Sequence, residues 1–217
     1  MTNLKTGTPT FRRWLENELI PRLPGGRDRW APFPQGAYLV ESDWVLCGLL
    51  LQPARTGSTL WAYVDPLFDD GFPIMMARSL SYSTKEGWAP RDPETTLAEY
   101  AEVVAERWST SNGQAHLERC KEPAGLLDFI HEGYAAEPRL RLSYAGVEAG
   151  CYILLDDVDA ARQAATVSSL DLDETSPQQQ KLAELRASLA GGVQEAHGRL
   201  ARIQREQFER HRSLAGR

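Results

Sequence analysis

The stretch WVLCGLLL (44–51) carries no charge and almost no polar alternation. A strand with one wet face alternates apolar and polar residues, so an unbroken run of this length implies a strand covered on both faces. It falls far short of the roughly 20 apolar residues that cross a bilayer. Its flanks repeat the β signal. AYLVE (37–41) precedes it across Ser42-Asp43, PARTGS (53–58) supplies a turn, and TLWAYV (59–64) is a third strand. Connections this short join neighbouring strands antiparallel, because a parallel pair needs a long crossover. IMMARSLSY (74–82) is a weaker fourth candidate.

Helical patterns bracket this sheet. Thr8-Pro9 is a favoured cap followed by proline at the first helical position, and Phe11, Trp14, Leu15 and Leu19 then share one face. Pro21 ends that helix, and PRLPGGRDRWAPFP reads as a loop. After Gly87 the pattern is helical. Asp92-Pro93 is the expected cap of a helix bearing Leu97, Tyr100, Val104 and Trp108, and a second helical stretch spans 114–134 with a break near Pro123. Leu140, Tyr144, Val147, Cys151 and Leu154 form a helical stripe, although CYILL also reads as a strand. LLDDVDAAR would then be a tight corner between two helices, the second running to about Leu170.

The segment SLDLDETSPQQQ marks a boundary. Ser176-Pro177-Gln178-Gln179 has the form of a capping box, and Leu182, Leu185, Leu189, Val193, Ala196, Leu200 and Ile203 follow on one face. Strict heptads fail because Gly192, Arg199 and Gln207 would occupy core positions, so an amphipathic helix is expected rather than a coiled coil. Continuous to residue 213, it would be roughly 55 Å long. Gly191-Gly192 is its soft point, costing about 2 kcal/mol relative to two alanines. The expected fold is α+β: an N-terminal helix, a small antiparallel β-meander, then a helical half ending in a long amphipathic helix. Residues 1–175 form the globular body and 176–217 a basic appendage.

Charge follows the same division. The 217 residues carry a net −6, but residues 1–34 hold +3, residues 35–180 hold −13 and residues 181–217 hold +4. Arginine outnumbers lysine 20 to 4, as in proteins of GC-rich bacterial genomes. The N-terminus lacks the apolar core of a signal peptide, and a cytoplasmic location is expected. Cys47, Cys120 and Cys151 form no C-x-x-C pair and read as buried small hydrophobes.

No catalytic constellation emerges. His131-Glu132 begins a zinc-type H-E-x-x-H, but Ala135 stands at the second ligand position, and no G-x-S-x-G, Walker A or G-x-G-x-x-G occurs. His116, His197 and His211 belong to no motif. Catalytic, cofactor-binding and metal residues are therefore assigned to none, and no cofactor is expected. The expected function is a non-catalytic binding or accessory protein acting through protein contacts. Its size and acidity are also those of components of bacterial multi-protein, immunity or defence systems. Its contact face would be Leu182, Leu185, Leu189, Val193, Leu200 and Ile203, with Arg199, Arg202 and Arg205 as basic contacts. The partner is another protein or a second copy, a homodimer through the C-terminal helix, because a 55 Å helix outreaches a body of roughly 16 Å radius of gyration. Two alternatives differ in class. A metal-dependent hydrolase would gather Asp65, Asp69 and Asp70 with Asp156, Asp157 and Asp159 around a hard cation. A nucleic-acid-associated subunit would use the basic ends, with Trp30 and Phe33 beside Arg22, Arg27 and Arg29 at the first.

Overall fold

Thr8 and Pro9 start the chain's first helix as their residue types require. The Thr8 hydroxyl accepts from Phe11 N–H at 3.2 Å, and α1 (Pro9–Trp14) buries Phe11 and Trp14. The computed structural model describes residues 4–41, 43–69, 82–136, 141–166 and 177–215. The chain divides into two units. The first comprises Met1–Asp65, Phe72–Lys121 and Arg210–Arg217; the second comprises Pro66–Gly71 and Glu122–Glu209.

In the first unit α1 runs on into a π turn (Leu15–Leu19) and a 3₁₀ turn (Ile20–Arg22); Pro21 sits inside that turn rather than ending the helix, and Leu23 caps it. After the short α2 (Gly26–Arg29) come five antiparallel strands in sequential order: β1 (Trp30–Phe33), β2 (Gly36–Leu39), β3 (Val45–Ala54), β4 (Gly57–Pro66) and β5 (Thr84–Pro90). The α+β architecture expected from the sequence is present. In β3 every residue of 45–51 is buried, as an unbroken apolar run demands. Two strands depart from expectation. The segment read as a loop holds β1, paired Trp30↔Leu39 through Phe33↔Gly36; it lies at the sheet's edge, where Pro32 has no ladder N–H to lose. TKEGWAP holds β5 despite its polarity. The ladder slips between Leu60 and Trp61, where Gly87 takes φ +127. The fourth candidate, 74–81, lies outside the described residues; Tyr82 stands in a turn.

Gly36 lies where β2 and β3 approach most closely. A Cβ there would come within 1.8 Å of the Leu49 carbonyl oxygen, a backbone atom that cannot swing aside. Gly36→Ala is expected to lower stability by about 1–3 kcal/mol, the usual range for overpacking. An unchanged urea midpoint would contradict this register.

Two helices follow. α3 (Leu97–Ser109) is started by Thr96, not by Asp92-Pro93: Thr96 and Glu99 form a reciprocal capping box, while Asp92 accepts from Glu94 N–H in the preceding turn. Tyr100, Val104 and Trp108 are buried as its stripe predicts, and α4 (Gly113–Cys120) packs on β3 and β5.

The second unit is helical: α5 (Pro123–Ala136), α6 (Arg141–Leu154), α7 (Val158–Ala165), α8 (Pro177–Ala190) and most of α9 (Val193–Ala215). Pro123 opens α5, so the expected break is a helix start. Cys151–Leu154 of the CYILL segment are helical, the last turn of α6, and Leu155 lies in the turn beyond. At the corner Asp156 takes φ +60, and Asp157 caps α7 through Ala160 N–H. α6 packs against α5, α7 and α8. Phe68 packs on α6 at Gly150, where a Cβ would come within 2.6 Å of the ring. Leu140, the segment 167–176 and the Ser176 cap lie outside the described residues.

The C-terminal segment is not one 55 Å helix. It breaks at Gly191-Gly192, with Gly192 at φ +113, and Arg199 of α9 pairs with Glu184 of α8. Fifteen residues of continuous helix would hold those side chains roughly 22 Å apart, so the pair shows that the chain turns back on itself.

Candidate functional site

Helical spacing assembles one cleft in the second unit. α5 contributes His131 and Tyr134, three residues apart; α6 contributes Glu148 and Tyr152, four apart, so each pair shares a helix face. Ala160, Gln163 and Ala164 of α7 complete the lining of a cleft of ≈ 410 Å³. That volume suits a small ligand or one long side chain.

Glu148 is the centre of the arrangement. It is only 5% exposed, and a carboxylate so placed is stable only with donors around it. The His131 Nε2–H donates to Oε1 at 3.0 Å and the Tyr134 hydroxyl donates to Oε2 at 2.9 Å. A carboxylate acceptor at that distance places a proton on Nε2. The Tyr152 hydroxyl lies 3.5 Å from the same Nε2. Rings surround the carboxylate: His131 and Tyr134 centroids are 6.0 Å apart, His131 and Tyr152 6.3 Å, and Tyr144 stacks behind Tyr134 at 6.1 Å. The arrangement can orient an imidazole, accept hydrogen bonds and present aromatic faces.

The residues singled out from the sequence lie elsewhere. Leu182, Leu185, Leu189, Leu200 and Ile203 are buried within the chain, and Val193 is half-buried. The homodimer expectation rested on an uncovered face and a continuous helix. The face is covered at home and the helix is broken. Arg199 is engaged by Glu184, whereas Arg202 and Arg205 are exposed. Trp30 is buried with its indole N–H on Pro24 O, Phe33 stacks near Tyr63, and Arg29 reaches Glu41 and Glu118. The expected stacking surface is therefore a buried strand, held because its large rings gain more inside the core than in water.

The acidic clusters are likewise held by local partners. Asp65 accepts from the Tyr63 hydroxyl, Asp69 pairs with Lys181, Asp156 with His197 and Asp159 with Arg162, while Asp157 caps α7. Among the described residues no three His, Cys, Asp or Glu side chains stand close enough to hold a metal; Asp70 lies outside them. Cys47, Cys120 and Cys151 are buried and unbridged, and burial pushes the Cys47 thiol well up.

Charge in the first unit centres on Glu118. Partial burial would raise its carboxyl, but hydrogen bonds from Lys121, Arg29 and Gln114 outweigh it and lower the pKa from 4.5 to about 2. A carboxyl depressed in the fold contributes stability above its unfolded pKa and loses it as pH falls toward the folded one. The side chain is 36% exposed, so screening reduces the contribution to about 1 kcal/mol. Glu118→Gln is expected to be less stable by that amount at pH 7, with the two urea midpoints converging as pH falls from 4.5 toward 2. Parallel curves over that window would contradict the network.

Glu148 and Tyr152 escaped sequence reasoning because α6 was read for its apolar stripe. The available signal was a carboxylate placed between Val147 and Cys151 on a buried face. Among the described residues no helix is long and apolar enough to cross a membrane. No family model, curated protein or solved structure matches the chain.

Proposed function

We propose that the chain is a non-catalytic, cytoplasmic accessory protein that acts through protein contacts, with the α5–α6–α7 cleft as its recognition site. The observation that carries this reading is Glu148, a buried carboxylate at the wall of a cleft among aromatic rings. Such a combination of an apolar surround with a few fixed polar groups is how binding sites set orientation. Tyrosines add support, since they supply large contact area at low entropic cost and still offer a hydroxyl.

The test places a photo-crosslinking amino acid at Gln163, on the cleft, and separately at Arg107, on the exposed face of α3, in the full chain expressed in its native host. A discrete adduct from position 163, absent from position 107 and lost when Tyr152→Ala is added, is the expected result. Equal adducts from both positions, or none from 163, would overturn the cleft as recognition site.

A further inference from the structure

We infer that the cleft takes a guanidinium group, the side chain of an arginine on the partner's surface. This rests on the binding reading above and adds the chemistry of what is bound. Three features converge on it. First, Glu148 accepts one hydrogen bond at each oxygen, from His131 and Tyr134. An ionised carboxylate offers about four acceptor sites, so each oxygen keeps about one. Two acceptors on one planar group match the parallel N–H pair of a guanidinium, which a single ammonium cannot address in the same way.

Second, the lining rings are those of Tyr134, Tyr152 and His131. A delocalised planar cation stacks on such faces and is weakly hydrated, so it enters a partly apolar cleft at lower desolvation cost than lysine. Third, the lining of the cleft carries a carboxylate, Glu148, and no lysine or arginine. A field of that sign attracts a cation and repels an anion. Free arginine carries its own carboxylate into that field, whereas an arginine within a chain does not. This favours the side chain of a protein over the free amino acid.

Isothermal titration of the full chain with Nα-acetyl-arginine amide, its lysine and citrulline counterparts, and free arginine tests the inference. The acetyl-arginine amide is expected to bind at least tenfold more tightly than the citrulline probe, which keeps the shape but lacks the charge, and more tightly than either the lysine probe or free arginine. Glu148→Gln should weaken binding at least tenfold. Tyr152→Phe, which keeps the ring and the packing, should bind nearly as wild type, and Tyr152→Ala should not. Thermal melts establish that each variant is folded, and the Tyr152 pair decides the matter if Glu148→Gln is not. Citrulline binding as well as arginine, free arginine binding more tightly than the amide, or Tyr152→Ala binding unchanged would each overturn the assignment. A guanidinium failure beside a specific crosslink at position 163 condemns the ligand class alone; failure of both condemns the site.

Discussion

Trp108→Ala is expected to lower the stability of the chain by about 3–5 kcal/mol, the range for truncating a fully buried large aromatic. Trp108 is 0% exposed, meets Trp30 edge-on at 6.1 Å, and fills the space beside Gly113, where a Cβ would come within 2.4 Å of its ring. Its indole Nε1–H is buried with no hydrogen-bond partner among the described residues. An unsatisfied buried donor costs about 1–3 kcal/mol, so removing it offsets lost volume. Trp108→Phe is therefore expected to cost less than half as much as Trp108→Ala. Urea unfolding of both variants checks the pair, and a phenylalanine as damaging as alanine would show that the indole N–H is satisfied in the native protein.

Replacing Gly191 and Gly192 together by alanine is expected to shift the chain toward dimers. Gly192 holds φ +113, a conformation alanine resists, so the turn between α8 and α9 is penalised. The same change gives a continuous helix about 2 kcal/mol of propensity. Straightening carries α9 away from its place and uncovers Ala196, Leu200 and Ile203, which are buried in the fold. A second copy can cover them by exchange of α9, a low-cost route to dimers in hinge variants. The homodimer proposed from the sequence thereby takes a specific form. Sedimentation equilibrium should show a larger dimer fraction in the variant than in the wild type. Identical mass distributions would remove exchange of α9 as the route to self-association.

What could be read from the sequence was whatever its local chemistry decides. The Thr8-Pro9 cap, the doubly covered β3, the break at Pro123 and the Asp157 corner each depend on neighbours a few residues away. β1 and β5 were hidden because edge strands tolerate proline, glycine and charge, so their composition imitates loops. The cap of α3 was misplaced by four residues because Asp92-Pro93 and Thr96-Glu99 are both legitimate starts. Reciprocal hydrogen bonding favours the second. Gly191-Gly192 was legible as a weak point, but whether a weak point bends depends on tertiary contacts such as Glu184–Arg199. The cleft was least legible of all. His131 and Glu148 are 17 residues apart, and only the packing of α5 against α6 brings them to 3.0 Å.

The central question is whether a cationic planar group enters the α5–α6–α7 cleft. The most direct measurement is a methyl NMR titration of alanine-labelled full-length protein with Nα-acetyl-arginine amide. Ala160 and Ala164 line the cleft, while Ala62 and Ala101 are buried in the other unit. Saturable shifts at Ala160 and Ala164, with Ala62 and Ala101 unmoved and no response to the citrulline probe, are the predicted result. No shift at Ala160 and Ala164, or shifts spread equally over all four, would contradict it.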